Sequence, residues 1–296
     1  MPDKQTQAPK GIHSQEWNHS SREQFLDYYA QESASEEALY RFISIRDTVL
    51  RIAASNPDYP EVLAVADIGC GAGTSSIIWS EAGHQVYGLD VNKPLVALAK
   101  KRAATAGCGI DFRVGSATKL PWADNSMDVC LVPELLEHVP DWVACINEFT
   151  RVLRPGGILY LTTSNRLCPI QQEFNLPLYS WYPRRMKKYF EHLASTIRPE
   201  LAGHATYPAV NWFTFYELRK ALASKGFETM DRFDTIDTSG KNPLAKTIIY
   251  LMRKNSVFKW LGQVMTPYTQ IAAIKCRLPT AAGKNKTPPG ANLPGG

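Results

Sequence analysis

Three glycines at alternate positions, Gly69, Gly71 and Gly73, follow Asp67 at the end of a short apolar run from Val62 to Ile68. Such a run reads as a buried parallel strand. Glycines let the chain turn tightly and let a ligand approach the backbone. Thr74 then opens a helix whose first N–H groups are free to meet polar ligand atoms. Asp90 stands 21 positions after Gly69, at the end of a second strand. A carboxylate about 20 residues beyond a glycine turn is placed to accept both hydroxyls of a ribose. The pattern is therefore that of a nucleoside site. A dinucleotide fingerprint needs a glycine at the sixth position of its turn, and Thr74 stands there instead.

One histidine belongs to the same neighbourhood. His138, in Glu134-Leu135-Leu136-Glu137-His138, comes just past the fourth expected strand. It reads either as a general base, a role worth roughly 10²–10⁴-fold in rate, or as a structural or substrate-orienting group. Tyr28, Tyr29, Trp181, Tyr182 and Trp212 either line an acceptor pocket, where aromatic faces favour a cation, or pack helices and a cap.

These side chains need a frame. Strands are expected at 86–90, 110–114, 127–132 and 157–163, with helices at 74–82, 94–106 and 141–153 between them. Strand and helix in alternation imply a parallel sheet covered on both faces, with right-handed crossovers. Before this core, residues 16–60 carry a helical period up to about Ala54, and residues 1–15 are polar. The core itself runs over 61–164. Residues 165–210 are rich in proline, aromatics and cations and read as a cap over the carboxyl ends of the strands. In residues 211–276, Thr214 and Glu217 form a capping box that starts a helix reaching Lys225. A strand at 227–234 follows. Residues 244–265 read as an amphipathic helix or a broken pair, either a lid or an interfacial segment. Gln270 to Lys275 is expected as a closing edge strand, and 277–296 as a tail.

Composition narrows the function classes. The 296 residues carry a net charge of +5, with 44% hydrophobic and 21% charged side chains, which is ordinary for a soluble globular chain. The cations are spread out rather than gathered on one face, which argues against nucleic acid as partner. The six cysteines contain no C-x-x-C pair, so they read as free thiols in a reducing compartment rather than a disulfide frame or a metal site. The start of the chain has no apolar signal core, and no stretch approaches the roughly 18 apolar residues of a spanning helix. The expected location is cytoplasmic, with peripheral contact at the inner face of a membrane if 244–265 is interfacial.

Five segments in order, DIGCGAG, GLDVN, RVGSATKLPWADNSMDVCLV, ELLEHV and RVLRPGGILYLTT, resemble the successive motifs of class I S-adenosylmethionine-dependent methyltransferases. The subgroup they resemble is the type 11 or quinone-methylase-like small-molecule group. The resemblance implies an α/β Rossmann-like fold with a mainly parallel seven-stranded sheet. It implies S-adenosylmethionine as cofactor, cradled at its methionine end by Asp67, Gly69, Gly71 and Gly73. Asp90 would hold the ribose, and Val91 would pack on the adenine. Ser116 and Ala117 would sit at the adenine edge, and Val132 and Pro133 would close over the methionine part. The family usually has an acidic residue where Ser116 stands, and a hydroxyl accepts a bond more weakly than a carboxylate. No Asn/Asp-Pro-Pro-Tyr follows the fourth strand, the mark of enzymes that methylate base or glutamine nitrogens. The implied acceptor is oxygen or activated carbon of a small or lipid-linked molecule. The other readings are an NAD-dependent oxidoreductase sharing the first βαβ unit, and a non-catalytic S-adenosylmethionine-binding protein.

Overall fold

Along the central strands, side chains alternate between two apolar layers. Val129 and Leu131 face one layer, Cys130 and Val132 the other; Ile158 and Tyr160 alternate with Leu159 and Leu161 in the same way. All eight are buried. A strand buried on both faces needs no polar side, and these runs have none. The computed structural model describes residues 31–171, 174–201, 209 and 211–277.

Helix α1 (Glu36–Ala54) opens the described chain, with the Ser35 hydroxyl accepting from the Ala38 N–H and Glu36 and Glu37 in its first turn. Both features suit a helix N-terminus. The core then runs β1 (Ala64–Ile68), α2 (Thr74–Glu81), β2 (Gln85–Asp90), α3 (Lys93–Thr105), β3 (Asp111–Val114), β4 (Met127–Pro133), α4 (Trp142–Val152) and β5 (Leu153–Ser164). A cap segment holds α5 (Arg184–Thr196) between short 3-10 turns at Tyr179–Trp181 and Pro199–Leu201. After it come α6 (Phe215–Ala223), β6 (Phe227–Asp231), α7 (Arg232–Thr235), α8 (Pro243–Lys254), α9 (Ser256–Val264) and β7 (Tyr268–Lys275).

The sheet has seven strands in the order β3-β2-β1-β4-β5-β7-β6. β1 to β5 are parallel, and β7 runs antiparallel to both β5 and β6. This is the mainly parallel Rossmann-like sheet expected. Ile45, Val49 and Ala53 of α1 and Trp79 of α2 cover one face. Cys145, Ile146 and Phe149 of α4 and Leu218 and Leu222 of α6 cover the other.

Two expectations need correction. The strand over 270–275 does not close the sheet edge: β7 lies between β5 and β6, and β6 is the edge. The strand expected at 227–234 stops at Asp231. There the Asp231 carboxylate accepts from the Phe233 and Asp234 N–H groups, while Asp234 accepts from the Asp231 N–H. That reciprocal cap starts a helical turn and ends the ladder. The Thr214–Glu217 box is present and starts α6, and the segment 244–265 is the broken pair α8 and α9.

Candidate functional site

The carboxyl ends of β1, β2 and β4 meet at one rim, and the glycine turn after β1 is its floor. Gly69, Gly71 and Gly73 all have left-handed backbones, at φ 80°, 52° and 80°, where a Cβ costs energy. A Cβ at Gly73 would lie 2.8 Å from that of Ala99 in α3, so this glycine also serves close packing. A Cβ at Gly71 would meet nothing within 4 Å; the space above it is open. Leu135, in the loop after β4, lies against Gly69, 3.2 Å from where a Cβ would stand. The first and fourth strand loops are thus in contact.

Asp90 joins the turn to the second strand. One carboxylate oxygen accepts from the Gly71 N–H at 2.9 Å and the other from the Asn92 N–H at 2.8 Å. Asn92, not Asp90, caps α3, accepting from Leu95. Burial raises the Asp90 pKa, opposed by the N–H groups of Asn92, Gly71 and Val91. Each carboxylate oxygen has a further lone pair for a ligand.

Asp67 is fully buried beneath the turn. Its Oδ2 accepts from the Ser76 hydroxyl at 2.6 Å, and Oδ1 has no well-formed partner among the described residues. Burial pushes its pKa up to about 6, with Asp90 adding to the rise and the nearby Ser76 and Ser75 groups opposing it. A buried, incompletely partnered carboxylate oxygen costs energy unless a donor arrives. A cationic ligand would supply one.

The remaining expected cofactor residues flank this floor. Val91 is half exposed beside Asp90. Ser116 is exposed, and its hydroxyl is within 2.8 Å of the Thr118 hydroxyl; Ala117 is buried. Val132 belongs to the apolar core, and Pro133 ends β4 partly exposed.

Past β4 the backbone takes an unusual path. Glu134 has φ 52°, an uncommon state for a residue with a side chain and one found at functional sites. Its carboxylate pairs with Arg41 of α1 at 2.5 Å. His138 sits in the turn that follows, its N–H donating to the Leu135 carbonyl. Burial lowers its imidazole pKa to about 4, only partly offset by Glu134, so the ring is neutral at pH 7. Glu137 is buried and accepts from the Thr163 hydroxyl at 2.8 Å.

The cap is fastened to this loop. Asn211 donates from its side chain to the Leu136 and Val139 carbonyls, at 3.0 and 2.6 Å, and from its backbone to Glu137. The next residue, Trp212, packs edge-on against Tyr179, which also meets Tyr182 and stacks on Phe174 at 4.0 Å. The Lys187 ammonium stands 4.3 Å over the Trp212 ring. Of the expected acceptor residues, Tyr182 and Trp212 therefore converge. Trp181 does not: it is half exposed and its Nε1–H donates to the Leu167 carbonyl. Tyr28 and Tyr29 lie outside the described residues. Tyr179, Lys187 and Asn211 escaped the sequence reading. Only Tyr179 had a signal, its place in an aromatic-rich stretch.

The floor and rim fit S-adenosylmethionine: a ribose acceptor in Asp90, open space over Gly71, and a buried carboxylate oxygen in Asp67 for the cationic end. Comparison with known proteins agrees. A family model described as a methyltransferase domain matches residues 66–161. The chain is 29% identical over 201 residues to the ubiquinone biosynthesis O-methyltransferase of Sinorhizobium fredii, covering 65% of this chain and 72% of that one. It is 30% identical over 201 residues to the enzyme of the same name from Chelativorans sp., covering 65% and 70%. In fold it is similar to a SAM-dependent methyltransferase from Aquifex aeolicus, with a TM-score of 0.51 at 14% identity over 84% of this chain and 98% of that one. These findings set aside the oxidoreductase and the non-catalytic binding protein. The chain is an enzyme that uses S-adenosylmethionine on a small-molecule acceptor, and it belongs to the class I S-adenosylmethionine-dependent methyltransferases.

Proposed function

We propose that this enzyme methylates a ring hydroxyl of a quinone-type, lipid-linked acceptor. The observation that carries the reading is the partly exposed pair Tyr182 and Trp212, both packed on the fully buried Tyr179 ring and joined through Asn211 directly to the His138 loop. A flat aromatic ring is the natural guest of such a pair. The name of the relatives, ubiquinone biosynthesis O-methyltransferase, supports the same acceptor class.

Bound S-adenosylmethionine supplies an electrophilic methyl group on a sulfonium. The chain's residues do the rest. Asp67 accepts from the cationic methionine end, and Gly69, Gly71 and Gly73 let that end lie against the backbone. Asp90 accepts from the ribose hydroxyls. Val91 and Ala117 pack on the adenine, and the Ser116 hydroxyl is a weak acceptor at its edge. Val132 and Pro133 bound the site on the β4 side through their backbone. Tyr182 and Trp212 orient the acceptor ring. Trp181, turned to the Leu167 carbonyl, is not part of this reading, and Tyr28 and Tyr29 lie outside the described residues.

Methylation of an acceptor hydroxyl would release its proton. In this reading His138, neutral at pH 7, would receive that proton. The enzyme works in the cytoplasm at the inner face of a membrane, where a lipid-linked acceptor resides.

The test uses purified enzyme, methyl-labelled S-adenosylmethionine, and a dihydroxyphenyl ring with a short prenyl tail. Label is expected in the organic phase as an alkali-stable methyl ether. Label on an amine or carboxylate acceptor offered in parallel, with none on the ring, overturns the reading.

A further inference from the structure

Of the three helices between β6 and β7, α8 and α9 expose an apolar stripe. Leu244, Ile248 and Leu251 recur at helical spacing on α8; Val257, Trp260 and Leu261 do so on α9. All six are exposed, Leu244 by 70% and Val257 by 62%. Single exposed apolar residues are normal, but a contiguous set marks a contact surface.

The inward side of the pair is firmly seated. A Cβ at Gly262 would lie 2.4 Å from the Phe233 ring, so α9 rests backbone-close on α7. The Arg253 guanidinium donates to the carbonyls of Phe233, Asp234 and Ile236, and Lys259 pairs with Asp231 at 2.9 Å and Asp234 at 3.0 Å. Those two cations are committed to the protein. Lys241, Lys246 and Lys254 are exposed, and no Asp or Glu occurs anywhere from Thr238 to Gly296. Lys241 has Asp237 nearby, but Lys246 and Lys254 flank the stripe with no acidic residue on their own helix pair.

The stripe also adjoins the cap. Asn165, the first residue beyond the carboxyl end of β5, donates to the Gln263 and Thr266 carbonyls at 2.7 Å each. Asn165 also bridges to Phe213, next to Trp212.

We propose that α8 and α9 dock the enzyme on an anionic lipid surface, with the stripe in the headgroup boundary and Lys246 and Lys254 against lipid phosphates. An apolar helix face flanked by lysines is the composition of interfacial helices. Anionic lipid supplies the charge this surface lacks, about a fivefold gain in partition per cation. A second copy of the chain is the poorer partner, because a two-fold contact would set two rims of like charge against each other. The inference rests on the lipid-linked reading of the acceptor for its purpose, but not for its test.

That test is vesicle sedimentation of the full chain without cofactor or acceptor. Vesicles of phosphatidylcholine alone are compared with vesicles containing a third phosphatidylglycerol. Binding to the anionic vesicles is expected, weakened by salt. Lys246→Glu/Lys254→Glu should lose it at least about tenfold, and so should Trp260→Ser/Leu261→Ser. Lys100→Glu/Lys101→Glu on α3 should leave it unchanged, and circular dichroism checks that all variants fold. No binding, or binding that the helix variants do not move, overturns the proposal. So does a dimer that those variants convert to monomer while vesicle binding is absent. Because no acceptor is present, failure here leaves the ring-methylation reading standing, and failure of methylation leaves this one standing.

Discussion

The Asp90 carboxylate accepts the Gly71 N–H at 2.9 Å, so the group proposed for the ribose also holds the glycine turn in shape. Binding and loop order share one side chain. Asp90→Asn keeps one acceptor and loses the charge. Cofactor affinity should fall roughly 10- to 100-fold, the loss of one or two charge-assisted bonds. Calorimetric titration with S-adenosylhomocysteine measures it; an unchanged affinity would remove Asp90 from the ribose site.

Gly73 and Gly83 both have left-handed backbones, at φ 80° and 88°, but only Gly73 is crowded. Gly83→Ala should cost about 1 kcal/mol, from backbone strain alone. Gly73→Ala adds the clash with Ala99 and Phe112, bringing the total to about 3 kcal/mol. Urea denaturation of the pair compares them. Equal losses would mean that α3 yields without cost.

The pH response has two opposed parts. His138 has its pKa lowered from 6.5 to about 4. In that window the unfolded chain holds more protons than the folded one. Its contribution is therefore complete above pH 6.5 and is lost, by about 3 kcal/mol, as pH falls to 4. Asp67 has its pKa raised from 3.8 to about 6. Its effect runs the other way: stability is highest below pH 3.8 and falls by about 3 kcal/mol as pH rises to 6. The two largely cancel in the wild type. His138→Gln should leave stability falling as pH rises through that window, and Asp67→Asn should leave it rising. Denaturant midpoints at pH 4, 5, 6 and 7 test this, and parallel profiles for both variants would refute it. Cofactor binding should also tighten as pH rises through about 6 and Asp67 ionises.

His138→Gln serves a second purpose. As the proton acceptor, its loss should lower kcat about 100-fold or more with cofactor affinity unchanged. A raised KM at normal kcat would make His138 an orienting group instead.

Lys187 stands over Trp212 with its pKa lowered by burial to about 8, despite the attraction of Glu191. The folded state thus holds this charge at a cost at neutral pH. Lys187→Met keeps the aliphatic stem in place. Discounted for the solvent that still reaches the side chain, the gain is about 1 kcal/mol, or roughly 2 °C in Tm. A drop in Tm would mean that the ring contacts outweigh desolvation.

Much of the site was legible because it is local. The Asp67 to Thr74 turn, Asp90 at its strand end and the Thr214–Glu217 box are short-range patterns, and each element formed where expected. Sheet order is not local. Nothing within Gln270 to Lys275 says which neighbours it will pair with, so its insertion between β5 and β6 went unread. The early end of β6 was readable from Asp231 and Asp234, had the second capping box been weighed against the strand. Trp181 shows the other limit: three aromatics close in sequence divide between core and solvent according to where a 3-10 turn sends each one.

The position of β7 carries a consequence for biosynthesis. Its partners, β5 and β6, are synthesised before it and never pair with each other, because β7 lies between them. While the ribosome is still making residues 236–267, the β5 edge and the β6 strand both lack the partner that β7 will supply. Such edges invite pairing with other chains. A message truncated before codon 268 should therefore yield an aggregation-prone product, not a smaller working enzyme, and β7 is the segment whose late release completes the sheet.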